Sequence, residues 1–168
     1  MTHIIDRMGI DNDFATKTSA IALFNAGEEI TVAKDGVSIP TTYKYVKAAS
    51  ALNAFEPVVL VTDAEGVTTS APATSAAVIK LVGFPQTDIA SNMFGWVAIK
   101  GACQAKTGIQ AQGDTLEVLN GGTSLVVDGS SGSPAETINT VAVSSEAATE
   151  AGTVTVNLIG KRVAIAAS

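Results

Sequence analysis

With 168 residues, a net charge of −6, one cysteine and one histidine, the chain is sized for a single domain with a sizeable core. The counts exclude an intramolecular disulfide and a Cys/His zinc site. Charged residues make up only 15% of it, against about a quarter in ordinary globular domains, so a partner is expected to cover part of its surface. The lack of a basic stripe speaks against nucleic-acid binding. Despite a mean hydropathy of +0.33, no apolar run approaches the roughly 18 residues of a membrane-spanning helix, and the opening Met1-Thr-His-Ile-Ile-Asp-Arg7 has neither the basic end nor the apolar core of a secretion signal.

The first 20 residues set Ile4, Ile5, Met8, Ile10 and Phe14 among Asp6, Asp11, Asn12 and Asp13, with no clean period of 2 or 3.6. This reads as an N-terminal arm that orders on a partner, or as an edge strand of the same domain. Residues 21–168 form one β domain. Ile30 and Val32 alternate with Thr31 and Ala33, and Lys34-Asp-Gly36 supplies a hairpin signal. Tyr43 and Tyr45 project to one face of the next strand and Lys44 and Val46 to the other. Alanine-rich Ala48 to Phe55 is compatible with a helical turn or two, as is Thr87 to Asn92.

Val58 to Val61 is apolar on both faces, and Asp63-Ala-Glu-Gly66 closes it. Strands follow at Val78 to Val82, Trp96 to Lys100 and Leu116 to Leu119. Asn120-Gly-Gly122 then turns the chain into Ser124 to Val127. Gly129-Ser-Ser-Gly-Ser-Pro134 is a flexible loop, followed by strands at Thr140 to Ser144, Thr153 to Leu158 and Arg162 to Ala166. The expected fold is all-β, a small sandwich or barrel of short antiparallel strands with an N-terminal arm and little helix.

Candidate chemistry is sparse. Cys103 reads as a small buried strand residue, because its only candidate base is His3 near the chain end. Asp11-Asn-Asp13 lacks the glycine and the closing acid of a calcium loop. Gly129 to Gly132 lacks the lysine and helix of a phosphate cradle. Glu28 and Glu29 point to opposite faces of a strand and cannot flank one glycosidic bond. No catalytic, metal or cofactor site is expected. Between Lys106 and Lys161 there is no base but there are six acids, Asp114, Glu117, Asp128, Glu136, Glu146 and Glu150, which read as a solvated acidic face. Trp96 is a core or interface anchor. Tyr43, Tyr45 and Lys47 form a patch suited either to contact or to the core.

The order of Tyr43-Lys-Tyr-Val-Lys-Ala48, Val58 to Val61, Val82-Gly-Phe84, the turn Asp88-Ile-Ala-Ser91, Phe94-Gly-Trp-Val-Ala-Ile-Lys-Gly101 and Gly113-Asp-Thr-Leu-Glu-Val118 resembles the small decoration, or cement, proteins of tailed-bacteriophage capsids. The resemblance covers residues 25 to 128 by pattern and spacing. It implies a non-enzymatic virion protein on the outer capsid surface that clamps neighbouring major-capsid subunits, as a trimer or less often a dimer, without cofactor, nucleic acid or membrane. Candidate contacts are Ile4, Ile5, Met8, Phe14, Tyr43, Tyr45 and Lys47. Residues 129–168 have no counterpart in the pattern and are expected to complete a sandwich or to extend outward. The alternative is a carbohydrate- or host-binding module of a fibre or adhesin that stacks sugars on Trp96, Tyr43 and Tyr45.

Overall fold

A computed structural model describes residues 2–4, 14–33, 38–62, 68–72, 77–119, 122–129, 140–160 and 162–165. In chain order the strands are β1 (Thr2–Ile4), β2 (Glu29–Val32), β3 (Thr41–Ala48), β4 (Val58–Thr62), β5 (Thr68–Pro72), β6 (Ala77–Pro85) and β7 (Phe94–Thr107). They continue with β8 (Thr115–Val118), β9 (Leu125–Val127), β10 (Thr140–Ser144), β11 (Gly152–Leu158) and β12 (Arg162–Ile165). The helical content among the described residues is one 3-10 turn, Phe14–Thr16. The turns expected at Lys34–Gly36 and Asp63–Gly66, and most of those at 120–122 and 129–134, lie outside the described residues.

The strands close into two rings of five that share β7. In the first, β3 pairs with β5, β5 with β4, β4 with β6, β6 with β7, and β7 returns to β3. In the second, β7 pairs with β11, β11 with β10, β10 with β8, β8 with β9, and β9 meets β7 again at Thr107 and Leu125. The all-β expectation holds, but the pairing is not uniformly antiparallel. β3–β5 and β7–β9 are parallel and act as the closing seams, and β1 lies parallel to β2. Residues 140–158 provide two strands of the second ring, while β12 returns to β6 in the first.

Strand β7 serves both rings because it changes face midway. Between Tyr43 and Thr42 its partner jumps from Ala98 to Lys100, so Ile99 is an extra residue that inverts the side-chain alternation beyond it. Trp96 and Ala98 therefore share a cluster with Cys103 and Ala105, although their parities differ. Gly101 follows the bulge with φ of +85°, and a Cβ there would lie 1.9 Å from the Pro40 carbonyl oxygen. Only glycine fits that position.

Val46, Ala48, Val58, Leu60, Val97 and Ile99 fill the first ring, joined by Leu52 and Ile89. The expected helical turns at Ala48 to Phe55 and Thr87 to Asn92 are absent. Leu52 and Ile89 instead exchange two backbone hydrogen bonds of 2.9 Å, which an α-helix in either segment would forbid. Phe55 and Asn92 end these segments at φ of 65° and 64°. The outer face of the first ring and the interior of the second form one continuous core, from Tyr43, Tyr45, Val59, Phe84 and Trp96 through Cys103 and Ala105 to Leu116, Leu125, Val154 and Val156.

Candidate functional site

Among the described residues Cys103 and Tyr43 are buried, and Lys44, Lys106, Glu29 and Glu56 form ion pairs. Cys103 is buried, and burial pushes its thiol well above its ordinary range, so it is not held as a nucleophilic thiolate. Burial, the largest cause, and the neighbouring Cys103 push the Tyr43 hydroxyl up to about 12, against the opposing effect of its hydrogen bond with Thr41. Lys106 Nζ pairs with Glu56 Oε1 at 2.7 Å, and Lys44 Nζ with Glu29 Oε1 at 2.9 Å. At Glu56, burial works to raise the carboxyl, but the hydrogen bonds from Lys106 and Asn53 and the charge of Lys106 outweigh it and hold it below the usual range.

Among the described residues no three His, Cys, Asp or Glu side chains gather as metal ligands. Glu117, read from the sequence as part of a solvated acidic face, is buried. A cleft of about 180 Å³ beside the bulge is lined by Thr41, Tyr43, Gln86, Cys103, Gln104 and Thr155 among others. Its amides are already engaged: Gln86 Nε2 donates to the Phe84 and Gln104 carbonyls, and Gln104 Nε2 donates to Thr155 Oγ1.

The aromatic candidates form a cluster of a different kind from the one expected. Tyr43 is 3% exposed, Tyr45 2% and Trp96 2%, so these rings are not available to a partner or a sugar. Tyr43 and Tyr45 lie on the outer face of the first ring, where the pairing of β3 with β7 places Tyr45 opposite Trp96 and Tyr43 opposite Ala98. The Tyr45 and Trp96 rings are 4.9 Å apart, and Phe94 stacks on Tyr45 at 5.8 Å. Phe14 and Phe24, from the N-terminal part of the chain, then pack on this face. Phe14, half-buried, lies edge-on to Tyr43 at 5.1 Å and to Trp96 at 5.7 Å. The contact role read for Tyr43 and Tyr45, and the sugar-stacking role read for them and for Trp96, are therefore corrected: Tyr43 and Tyr45 take the core alternative, and Trp96 is a core anchor.

Lys47 is half-buried, with its ammonium 6.0 Å from the centre of the Phe94 ring. The backbone of Ile4 belongs to β1, which pairs with β2, while Ile5 and Met8 lie outside the described residues.

Among the described residues, three of the exposed large apolar side chains fall together in a segment the sequence pattern did not single out. Residues Ala20 to Phe24 are all exposed, and Ile21 (75%), Leu23 (68%) and Phe24 (43%) are large side chains left open to solvent. The segment is hydrogen-bonded to the domain at Leu23 and Ser19. The Leu23 amide donates to Tyr45 Oη at 3.2 Å, the Ile21 amide donates to Ser19 Oγ at 3.1 Å, and Ser19 and Phe94 exchange backbone bonds of 3.0 and 2.7 Å. One edge of Phe24 rests on Tyr45 and Trp96 at 5.3 and 5.1 Å. The sequence signal was a run of five apolar residues without a strand's alternation, inside the uncharged stretch between Lys17 and Glu28.

No protein family matches the sequence, and no curated protein does. Among solved structures, the fold is similar to that of the head fiber gp8.5 N base of bacteriophage phi29. The likeness has a TM-score of 0.51 and covers 73% of this chain and 98% of that one at 15% sequence identity. It is a likeness of fold.

Proposed function

We propose that the protein is a non-enzymatic structural protein of a phage virion, bound to the outside of the head, where it bridges neighbouring major-capsid subunits. The observation that carries this reading is the combination of a rigid double-ring scaffold, its reactive thiol buried, with large apolar side chains fixed in solvent. The similarity to a phage head-fiber base supports the same setting. Ile21, Leu23 and Phe24, together with Ile4, Ile5, Met8 and Lys47, are the proposed capsid contacts, with the apolar side chains contributing about 25 cal/mol for each Å² they bury, repeated over many copies.

A ligand that binds only the assembled head stabilises it by linkage. Heads lacking the protein should gain resistance to heat and osmotic shock when it is added to saturation. Unchanged head stability at full occupancy would reject the bridging role. Deleting residues 1–13 should weaken head binding while the circular dichroism spectrum remains that of a folded β protein. A second reading, favoured by the identity of the structural neighbour, is a base module that seats a projecting fibre on the head. Electron microscopy of saturated heads separates the two: low knobs at lattice junctions fit the bridge, whereas projecting rods fit the fibre base.

A further inference from the structure

We infer that the cleft beside the bulge is a binding site for a single neutral sugar ring. The inference stands apart from the capsid reading and from the buried aromatic cluster, and it rests on what happens to β7 once it leaves the first ring. Beyond the bulge, β11 is the strand that pairs with β7 at Ala102 and Gln104, and among the described residues no strand takes the opposite edge there. Side chains occupy that place instead. The Thr41 hydroxyl donates to the Ala102 carbonyl. The Gln86 carboxamide meets Gln104 as a strand's peptide group would, accepting from its amide at 3.1 Å and donating to its carbonyl at 3.1 Å. These side chains fill the missing strand's position only in part, and the cleft of about 180 Å³ is lined by them.

The lining selects the ligand. None of its side chains is charged, so an ion entering the cleft would lose water without gaining a partner of opposite sign. The volume lies below the roughly 300 Å³ at which pockets for drug-sized ligands begin, which leaves room for one small ring. Hydrogen-bonding capacity remains, and it is held in fixed positions. Gln104 and Thr155 face each other across β7 and β11, and Gln104 Nε2 donates to Thr155 Oγ1 at 3.0 Å. That bond orients the carboxamide while leaving Gln104 Oε1 to accept and the Thr155 hydroxyl its own hydrogen to donate. Gln86 Oε1, with one bond from the Gln104 amide, keeps a second lone pair. Two acceptors and a donor set in place before the ligand arrives suit the hydroxyls along the edge of a sugar ring, and little ordering entropy opposes their use. Ile39, 42% exposed, and the buried Cys103 add apolar surface for its C–H face. A wholly apolar ligand would dry these polar groups and return no bond to them.

The test is titration of the isotope-labelled full chain with the methyl glycosides of glucose, galactose, mannose and N-acetylglucosamine, up to about 50 mM, with glycerol as the control polyol. The side-chain amide signals of Gln86 and Gln104 are followed by NMR. At least one glycoside is expected to shift both signals saturably, with a dissociation constant on the order of 1 mM. The constant should not change at about 0.5 M added sodium chloride, because no charge takes part. Gln104→Leu should weaken the binding by about 10-fold or more, read on the Gln86 signal, with an unchanged β spectrum. Thr153→Val, on the same strand as Thr155 but outside the cleft, should leave it unchanged. The inference is overturned if none of the four glycosides gives a saturable shift, if glycerol moves the signals equally, if Gln104→Leu binds with wild-type affinity, or if both variants weaken binding alike. Thr155→Val repeats the measurement if the leucine variant does not fold.

Discussion

The two rings reach the same architecture with different materials. All the aromatic residues lie at or before Trp96, and residues 97–168 contain none. The first ring is filled by aliphatic side chains and then coated outside by six rings, those of Phe14, Phe24, Tyr43, Tyr45, Phe94 and Trp96, in edge-on, tilted or stacked contact. The second is filled by valine, leucine, alanine and Cys103, with Gln110, Ser144, Thr107 and Thr140 also buried. Gln110 Nε2 donates to Ser144 Oγ at 2.8 Å. A small ring needs only small side chains inside it. It requires an aromatic coat only where its outer face is also apolar, and only the first ring has the N-terminal segment to provide one.

The largest expected effect falls on the residue that joins the rings. Gly101→Ala forces a side chain into the Pro40 carbonyl at a positive φ, and should cost about 3 kcal/mol or more, read as a lower urea midpoint. Gly152→Ala, where a Cβ would meet nothing within 4 Å, should stay within about 0.5 kcal/mol of wild type. Equal effects at the two glycines would show that the shared strand is not the critical joint.

The next pair asks whether the rings are one cooperative unit. Trp96→Ala in the first and Leu116→Ala in the second should cost about 3–5 and 2–5 kcal/mol. Because one core cluster holds both residues, each variant should melt in a single transition when followed by circular dichroism. Two resolved transitions would divide the molecule at Gly101.

The smallest effects are those of pH, and they carry opposite signs. Tyr43 has its folded value raised from 10.0 to about 12, so the folded state holds its proton more tightly. The stability it contributes is complete below pH 10 and is lost as pH rises toward 12. Glu56 has its folded value lowered from 4.5. Its contribution is present above that pH and is lost as pH falls through the folded value. Tyr43→Phe should therefore flatten the alkaline limb of a stability–pH profile and Glu56→Gln the acid limb, each leaving the other limb in place.

Strand identity was legible from the sequence because alternation of β-branched residues is a local property, and Thr140–Ser144 and Thr153–Leu158 fall within a residue of β10 and β11. The shared face of Tyr43 and Tyr45 was legible for the same reason. What covers that face was not. Phe14 and Phe24 arrive from a segment without periodicity, and only the pairing of β3 with β7, about 50 residues apart in sequence, creates the surface on which they lie. The bulge at Ile99 was hidden too, since a change of face halfway along an apolar strand leaves no mark when both faces are buried. The exposure of Ala20 to Phe24 was not legible because a short apolar run without periodicity does not tell from sequence whether it faces core or water.

The shared strand also fixes an order of events during synthesis. All five strands of the first ring have been synthesised once β7 is complete at Thr107, whereas the second ring waits for β11, which ends at Leu158. We expect the first ring to close while the rest is still being made, leaving the C-terminal half of β7 as an unpaired edge for the time needed to add some fifty residues. That half-strand carries Gln104 and Lys106, and Lys100 stands just before it. Polar and cationic side chains on an edge discourage pairing with a neighbouring nascent chain, so the residues that face solvent in the finished protein guard the growing one until β11 arrives.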